Sequence, residues 1–412
     1  MSSDPSQQQL SDAETRDHGA PAIEEVGVVA LVPDRWSEQW QPRHQVLSRL
    51  GRYFSAVWVN PAPAWRDVWR EPSRFRVRDP QPKPCLQIHS PDRFLPQFFR
   101  PAWLAETTAR KRLEGARDLL LRKGCTKIVL YIWRPGFATA LSMLRHDLSC
   151  YHIDDEYAFG TKDQPIPEAE LSLLQRVDQV IIHSPGLMEK KGHVNPCTHF
   201  VPNGVDYSAH AAPAPEPEDL RLIPRPRIGY TGWLKKQLNW DLLESLPNRH
   251  PDWSFVYVGS VNDPDLESRV KRIGLLPNVH ILGGKSSADL ARYPQHFDVC
   301  LMPYRNDGYT RFIYPLKLHE YLASGTPMVA TPIRSLESFQ SVVELATEPS
   351  EWSAAIEKAL NDNGHDRRLA RQTVAKEHDW DSLVYRIAQH MADALGPEVA
   401  ERLRAARPGP GE

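Results

Sequence analysis

The chain has 412 residues and a mass of 46.9 kDa, which is enough for two domains that each bury a core of their own. Its formal net charge of −2 gives no reason to expect nucleic acid as a partner. Its five cysteines are scattered and include no C-x-x-C pair. This argues against a disulfide framework and a zinc site, and it favours a reducing compartment such as the cytoplasm.

The amino-terminal residues are polar, and we expect no signal peptide. The longest apolar runs, such as Val26–Val32 and Ile128–Trp133, are much shorter than the roughly 18–20 residues that cross a bilayer, so we expect no membrane-spanning helix. Residues 1–22 are rich in Ser, Gln, Asp and Glu and lack an apolar period, which predicts a disordered tail.

Short apolar runs alternate with amphipathic stretches from residue 23 to residue 207. The apolar runs predict strands at Val26–Val32, Ala56–Asn60, Lys127–Trp133, Cys150–Ile153, Gln179–His183 and His199–Pro202. The stretches between them predict helices, for example over Ala102–Lys123 and Ala138–Arg145. This alternation is typical of a parallel sheet built from β-α-β units, so residues 23–207 are predicted to form one Rossmann-like domain.

Residues 208–226 contain five prolines and are predicted to be a linker. The alternation then restarts and predicts a second Rossmann-like domain over residues 227–380. A last amphipathic helix over 381–396 can cross back to the first domain, and residues 397–412 are predicted to be a flexible tail. The simplest architecture is α/β, with two doubly wound domains that face a cleft and bind ligands at the carboxyl ends of their strands.

The segment of residues 314–331 reads YPLKLHEYLASGTPMVAT. It predicts a short helix that starts at a proline, carries Lys317 and Glu320 and ends at a glycine before an apolar strand. Lys317 and Glu320 are three residues apart and therefore share one helix face. The helix N-terminus offers free N–H groups and a positive dipole end to phosphate oxygens. A lysine and a carboxylate placed there could hold a diphosphate and a pair of ribose hydroxyls.

This segment resembles the nucleotide-sugar signature P-x-K-x-x-E-Y-x-A-x-G-x-P-V-V of the GT-B glycosyltransferases of group 1, of the GT4-like kind. The resemblance covers about Arg227 to Val343 and is weak over the first domain. It implies transfer of a hexose from a nucleotide-diphosphate sugar to a saccharide or lipid-linked acceptor, with retention of configuration and without a metal or other cofactor. It also implies that Glu320 binds the ribose hydroxyls.

The second domain opens with a strand, a glycine turn and two lysines, Lys235 and Lys236. Most lone glycine turns are only tight turns, but the resemblance implies a loop that faces the diphosphate. It implies that Lys317 and Lys235 stabilise the departing diphosphate, and we prefer Lys235 to Lys236 for that role. The full set of predicted nucleotide-sugar contacts is Gly232, Lys236, Asn306, Thr310, Pro315, Lys317, Leu318 and Glu320.

One position departs from the usual family pattern. The paired-glutamate pattern E-x7-E places its first glutamate at position 312, which is Phe312 here. Asp307 or Asn306 could take its place, and a family branch that reads roughly N-x-x-x-T-x-x-x-x-P-x-K also lacks this glutamate. This departure leaves open a non-catalytic nucleotide-sugar-binding protein beside the transferase. A nucleotide-sugar epimerase with the GT-B fold also stays open, because such epimerases share the architecture and the nucleotide pocket.

Two segments of the first domain carry candidates for the acceptor side. Asp154 and Asp155 follow a predicted strand, and we expect Asp155 to contact the sugar or the acceptor, although a turn or capping role is equally compatible. The loop after the first strand contributes a possible carbohydrate-facing surface, for which core packing of the tryptophans is the alternative. The predicted acceptor contacts are Trp36, Trp40, Arg43, His44 and Asp154.

Residues 66–112 hold eleven basic and five acidic residues, with aromatic residues interleaved. Basic and aromatic residues together suit a membrane interface, and a lipid-diphosphate acceptor would place the protein at the inner face of the membrane. Single-stranded nucleic acid would use similar residues, and a solvated basic loop would need no partner.

Overall fold

The computed structural model describes residues 20–36, 40–70, 85–90, 95–158, 164–261 and 263–406. These residues form two compact units. One unit comprises residues 20–202 together with 380–406 and is called the N-terminal unit. The other comprises residues 203–379 and is called the C-terminal unit. Of the tail predicted over 1–22, residues 1–19 lie outside the described part of the chain.

Each unit contains one sheet of parallel strands. The strands of the N-terminal unit are β1 (Ile23–Leu31), β2 (Phe54–Val59), β3 (Leu86–His89), β4 (Lys127–Ile132), β5 (Leu148–Ile153), β6 (Gln179–Ile182) and β7 (Thr198–Phe200). Those of the C-terminal unit are β8 (Arg227–Thr231), β9 (Ser254–Val258), β10 (Val279–Ile281), β11 (Val299–Met302), β12 (Met328–Ala330) and β13 (Glu344–Leu345).

Helices cover both faces of these sheets, which is why strands such as β5 and β8 are buried at every position. The α-helices are α1 (Pro42–Leu50), α2 (Trp65–Arg70), α3 (Ala102–Arg122), α4 (Ala140–Met143), α5 (Glu168–Arg176), α6 (Pro185–Lys191), α7 (Tyr207–Ala211), α8 (Trp240–Arg249), α9 (Pro264–Ile273), α10 (Ser287–Leu290), α11 (Leu316–Ser324), α12 (Pro349–Asn361), α13 (His365–Glu377), α14 (Trp380–Leu395) and α15 (Pro397–Ala405). Within the described residues, none of them is both long and apolar enough to cross a bilayer.

The strand orders are β3-β2-β1-β4-β5-β6-β7 and β10-β9-β8-β11-β12-β13. In each sheet the chain winds outward from the first strand and then returns to its other side, which is the doubly wound pattern. The predicted α/β class with a parallel sheet in each of two domains is thus confirmed. The change of winding direction lies between β1 and β4 in one unit and between β8 and β11 in the other. Ligands of such sheets bind outside the carboxyl ends of these strands.

The structure divides the chain at Asn203, before the linker that the sequence predicted over 208–226. That segment packs on the C-terminal unit: Leu220 is fully buried, and Asp219 accepts a hydrogen bond from the Tyr293 hydroxyl at 2.9 Å. The proline content reflects an extended segment that lies along its own unit and does not connect two units.

The carboxyl-terminal region also differs from its prediction. The helix predicted over 381–396 is α14, and it belongs to the N-terminal unit. The flexible tail predicted over 397–412 is wrong as far as residue 406, because α15 buries Val399 and Leu403 and its Arg402 forms an ion pair with Glu25. Residues 407–412 lie outside the described part of the chain.

Candidate functional site

Helix α11, which carries the predicted signature, is fixed against the end of β8. The Tyr321 hydroxyl oxygen accepts a hydrogen bond from the Thr231 amide nitrogen at 2.9 Å. Pro315 is the N-cap of the helix in an extended conformation, and no side chain of the described residues caps this end. The Leu318 N–H donates to the carbonyl of Pro315 at 3.2 Å, which leaves the N–H groups of Leu316 and Lys317 for a ligand, at the positive end of the helix dipole.

Lys317 lies in the first turn of α11, half-buried, with its ammonium nitrogen 5.4 Å from the ring centre of Tyr230. The Tyr230 hydroxyl donates its proton to the carbonyl of Trp233 at 3.0 Å, so its oxygen can accept a hydrogen bond from the ammonium group. Burial lowers the pKa of Lys317, but Tyr230, Tyr304 and Glu320 together raise it by more. The net pKa lies above its usual value, and Lys317 is positively charged at neutral pH.

Gly232, predicted as part of the glycine turn, makes room for Lys317. It has φ of 111°, in the region that favours glycine. A Cβ atom at this position would lie 2.6 Å from both Cε and Nζ of Lys317. The glycine therefore permits the turn and also the close approach of the lysine from α11.

The two lysines after Gly232 differ in their surroundings. Lys235 lies with its ammonium nitrogen 5.4 Å from the ring centre of Tyr304, whereas Lys236 is exposed. The loop that carries them is held to the loop after β11, since the Asn239 amide donates to the carbonyl of Pro303 at 2.7 Å. Tyr304, which Lys235 approaches, is also among the groups that raise the pKa of Lys317.

The loop between β11 and α11 uses its polar side chains internally. Thr310 is fully buried, and its hydroxyl donates to the carbonyl of Asp307 at 2.9 Å. The Asp307 carboxylate accepts hydrogen bonds from the amides of Tyr309 (3.1 Å) and Thr310 (3.0 Å). The predicted contact of the Thr310 side chain with the nucleotide sugar is therefore wrong. Asn306 is exposed in this loop, and its contact with the sugar stays a prediction.

Two further positions of the signature region face the core of the C-terminal unit. Phe312, which stands where the pattern has a glutamate, is 1% exposed. Leu318 is fully buried, so the predicted contact of its side chain with the nucleotide sugar is wrong. Pro315 is buried at the helix start, and Glu320 is half-buried one turn beyond Lys317.

In the N-terminal unit, the aromatic side chains after β1 form a cluster. Trp36 lies 5.4 Å from Trp40 and 5.2 Å from Trp58 between ring centres, and His44 lies 4.5 Å from Trp58. His44 is fully buried on α1, and burial is the main cause that lowers its pKa to about 4. The predicted role of His44 in binding the acceptor is wrong, because this side chain packs in the core. Trp40 is 39% exposed and stays a candidate, as does the half-buried Trp36.

Arg43 and Asp154 are brought together although 111 residues separate them. The Arg43 guanidinium is 6% exposed and forms ion pairs with Asp34 and Asp154. The other oxygen of Asp154 accepts a hydrogen bond from Tyr157. Burial raises the pKa of Asp154, but Arg43 and Arg134 lower it by more, so it is ionised and neutralised within the protein. The predicted acceptor contact of Arg43, whose side chain is buried, is therefore wrong, whereas that of the half-buried Asp154 stays a prediction.

The loop after β5 is fixed by ion pairs between buried carboxylates and the lysines at the end of α6. Glu156 contacts the ammonium nitrogens of Lys190 at 3.2 Å and Lys191 at 3.3 Å. Lys191, fully buried, also binds Glu170 at 2.8 Å. Asp155, between the buried Glu156 and Asp154, is half-buried, and burial is the main cause that raises its pKa. Its role as a contact to sugar or acceptor stays a prediction.

Sequence reasoning missed three residues at these ends of the sheets. Tyr230 and Tyr304 each lie against an ammonium group, and Arg134 acts on Asp154. A usable signal existed for two of them. Arg134 comes directly after the strand predicted over Lys127–Trp133, and Tyr230 stands two residues before the turn glycine. Polar groups at such positions reach the carboxyl edge of a parallel sheet.

Comparison with known proteins agrees with the signature in α11. The family described as "Glycosyl transferases group 1" matches residues 225–362. The glycosyltransferase TuaH of Bacillus subtilis (strain 168), assigned to teichuronic acid biosynthesis, is 27% identical over 362 residues. This alignment covers 81% of the present chain and 88% of TuaH.

Solved structures agree in fold. Sucrose-phosphate synthase from Thermosynechococcus elongatus superposes with a TM-score of 0.61 at 17% identity, over 93% of the present chain and 99% of that chain. HepE of Anabaena in complex with UDP superposes with a TM-score of 0.63 at 14% identity, over 90% and 100%. Residues 225–362, which hold Lys317, thus resemble the group 1 glycosyltransferases, and over most of its length the chain shares the GT-B fold of these solved structures.

Proposed function

We propose that the enzyme transfers a hexose from a nucleotide-diphosphate sugar to a saccharide or lipid-linked acceptor in polysaccharide or glycoconjugate biosynthesis. One observation carries the choice of co-substrate: a charged Lys317 lies beside the uncapped N-terminus of α11. Together they offer a cation and free N–H groups to a diphosphate. The UDP complex of HepE supports a uridine nucleotide, and the assignment of TuaH supports a polysaccharide product.

The reaction breaks the bond between the sugar C1 and the diphosphate oxygen and forms a glycosidic bond from C1 to the acceptor hydroxyl. Lys317, Lys235 and the N-terminus of α11 stabilise the charge that develops on the leaving diphosphate. Their charges serve where other transferases use a divalent cation, so the proposal includes no metal or other cofactor. The acceptor attacks from the face that the diphosphate leaves, and the diphosphate takes the hydroxyl proton. Configuration is then retained, as the GT4-like resemblance implies.

A screen of nucleotide sugars tests this function. Thermal unfolding is measured with UDP-, GDP-, ADP- and dTDP-sugars, because a ligand that binds the folded state raises the unfolding temperature. We expect stabilisation by one nucleotide class and, with that sugar, release of the nucleoside diphosphate when an acceptor is added. A changed sugar nucleotide formed without an acceptor would identify an epimerase. Binding without any turnover would favour the non-catalytic alternative that the buried Phe312 suggests.

Replacing Glu320 with alanine is expected to raise the dissociation constant of the nucleoside diphosphate about tenfold. The half-buried carboxylate would accept hydrogen bonds from the ribose, and a charge-assisted pair of this kind contributes about 1.5–3 kcal/mol. Isothermal calorimetry with UDP, GDP, ADP and dTDP measures the change. Glu357→Ala, at an exposed position of α12, is the control and should bind like the wild type. An unchanged dissociation constant for Glu320→Ala would refute the ribose role.

On the acceptor side, the proposal retains Asp155 as the carboxylate that contacts the sugar or the acceptor. Trp36 and Trp40 provide the aromatic surface. Asp155 follows β5, and Trp36 and Trp40 follow β1, so all three belong to the carboxyl edge of one sheet. That edge is where doubly wound sheets bind their ligands.

The proposal also includes contact with the inner face of a membrane, at the aromatic residues before and within the first turn of α3. Phe99 and Trp103 are 67% and 68% exposed. Trp65, 39% exposed, is close to them because its amide donates to the carbonyl of Gln97 at 3.2 Å. Arg74, Arg76 and Arg78, which contribute to the basic character of this region, lie outside the described residues.

Replacing both Phe99 and Trp103 with serine is expected to lower binding to vesicles that contain phosphatidylglycerol by about tenfold or more. Burial of each aromatic ring in the interface stabilises binding by about 1.5–3 kcal/mol. Co-sedimentation measures the partition coefficient. Leu222→Ser with Leu275→Ser removes two side chains that are 94% and 84% exposed in the C-terminal unit, and this control should bind normally. Failure of the wild-type protein to bind the vesicles would rule out the membrane contact.

A further inference from the structure

The carboxyl end of α11, opposite its ligand-binding end, receives three hydrogen bonds from α13. The donors share one face of α13, and each reaches a successive carbonyl oxygen: Gln372 to Ala323 at 3.2 Å, Arg368 to Ser324 at 3.2 Å and Arg371 to Gly325 at 2.9 Å. These are carbonyl groups that a helix end leaves without partners in the helix itself. Two cations and an amide therefore cap the helix whose other end faces the diphosphate in the proposed function.

Gly325 of the signature makes this contact possible. It ends α11 with φ of 76°, which is the left-handed conformation of a helix C-cap. A Cβ atom there would lie 2.6 Å from Cγ of Arg368. A glycine at this position thus allows both the helix end and the approach of the arginine side chain.

Arg371 is 3% exposed, so its charge lies inside the C-terminal unit. Its guanidinium donates to the carbonyl of Gly325 and to the side-chain oxygen of Asn363, and neither of these partners is a carboxylate. Burial lowers its pKa to about 10, with Arg367 adding to the lowering and Asp362 opposing it, so it is still charged at neutral pH. A buried cation that is bonded to neutral oxygens acts on the dipole of the helix whose end it touches.

The charge matters because α11 is short. A helix of nine residues is about 13 Å long, and its two ends carry about half a charge of opposite sign. The negative end therefore weakens the attraction of the positive end for an anion. Cations at the last carbonyl groups offset that negative charge and leave the N-terminus more attractive to phosphate.

We propose that Arg371 and Arg368 are positioning residues for the diphosphate. They cap the carboxyl end of α11, hold Lys317 and the free N–H groups in place and strengthen the positive end of the helix. This inference rests on the proposed function, in which α11 binds the diphosphate of the nucleotide sugar.

The test compares two nucleotides on the same variants. Dissociation constants are measured by calorimetry for the tightest-binding nucleoside diphosphate of the screen and for the corresponding monophosphate. Arg371→Gln keeps an N–H donor but removes the charge, and we expect about fivefold weaker binding of the diphosphate with less than twofold change for the monophosphate. Arg371→Lys restores the charge and should bring the ratio of the two constants back to within about twofold of the wild type.

Arg227→Gln is the matched control. Arg227 is 4% exposed in the same unit, donates to the carbonyl of Ile223 at 2.8 Å and forms an ion pair with Glu216, but it lies at the amino end of β8. Loss of Arg227 should lower the unfolding temperature without changing the ratio of the dissociation constants for the diphosphate and the monophosphate. If Arg371→Gln weakens the binding of both nucleotides equally, or leaves both dissociation constants unchanged, the inference is wrong. If this variant does not fold, Arg368→Gln is measured in its place against the same criteria.

Lys317→Met, measured in parallel, separates this inference from the proposed function. If Lys317→Met binds the diphosphate like the wild type, α11 is not the diphosphate site and both proposals are wrong. If Lys317→Met loses affinity while the ratio for Arg371→Gln stays at the wild-type value, the nucleotide site stands and only the positioning role is wrong.

Discussion

Replacing Lys317 with alanine is expected to lower kcat/KM for sugar transfer about 100-fold or more. The half-buried ammonium lies at the start of α11 and is kept charged, so its loss removes a cation from the leaving diphosphate. Removing one preorganised group that stabilises developing charge costs about 100- to 1,000-fold in other enzymes. Because the charge on the diphosphate grows as the sugar leaves, we expect kcat to fall more than the affinity for the substrate.

Steady-state kinetics with the sugar nucleotide and acceptor of the screen measure both constants. Lys271→Ala, at an exposed lysine on α9, is the surface control and should leave both unchanged. Lys317→Arg keeps the charge but adds bulk where Gly232 leaves little room, so we expect activity between those of the wild type and the alanine variant. Wild-type activity of Lys317→Ala would remove this residue from the mechanism.

The helix that carries the predicted nucleotide-sugar contacts was readable from the sequence because the signals that define it are local. Lys317 and Glu320 belong to one helix, and the proline before it and the glycine after it mark its ends. The same local rule could have excluded Leu318. It shares the 3.6-residue period of Tyr321 and Leu322, and all three are buried. That prediction followed the motif where the helix period argued for the core.

The acceptor side could be predicted only in part because its contacts are distant in sequence. Pro42 at the start of α1 is a local signal for the beginning of a helix. The pairing of Arg43 with Asp154 has no such signal. It follows from the sheet order, in which β4 alone separates β1 from β5.

Two of the three adjacent carboxylates after β5 also have partners that are distant in sequence. A sequence cannot tell that Asp154 is neutralised by Arg43, that Glu156 is held by buried lysines and that Asp155 lies between them. These differences depend on which neighbouring strand and helix each side chain meets. Buried charges of this kind are paired in folded proteins, but the partner is known only once the topology is known.

Replacing Gly232 with alanine is expected to lower activity about 100-fold while the protein stays folded. A residue with a Cβ atom is strained at φ of 111° by about 1–3 kcal/mol, which the domain can tolerate. The new Cβ would also lie 2.6 Å from Cε and Nζ of Lys317. Because these atoms are the far end of a flexible side chain, the lysine moves and the fold persists. The cost then falls on catalysis, by the same loss of charge that Lys317→Ala produces.

Gly283→Ala separates the two causes. Gly283 has φ of 69° in the same unit, and nothing lies within 4 Å of a Cβ atom built there. It should therefore lose stability through backbone strain alone and keep the turnover of the folded enzyme. Thermal unfolding and kcat are measured for both variants. If both lose stability and both keep kcat, Gly232 serves only the turn, and the closeness of Gly232 to Lys317 has no part in transfer. If kcat falls only for Gly232→Ala, the space that this glycine leaves is what allows Lys317 to lie at the diphosphate.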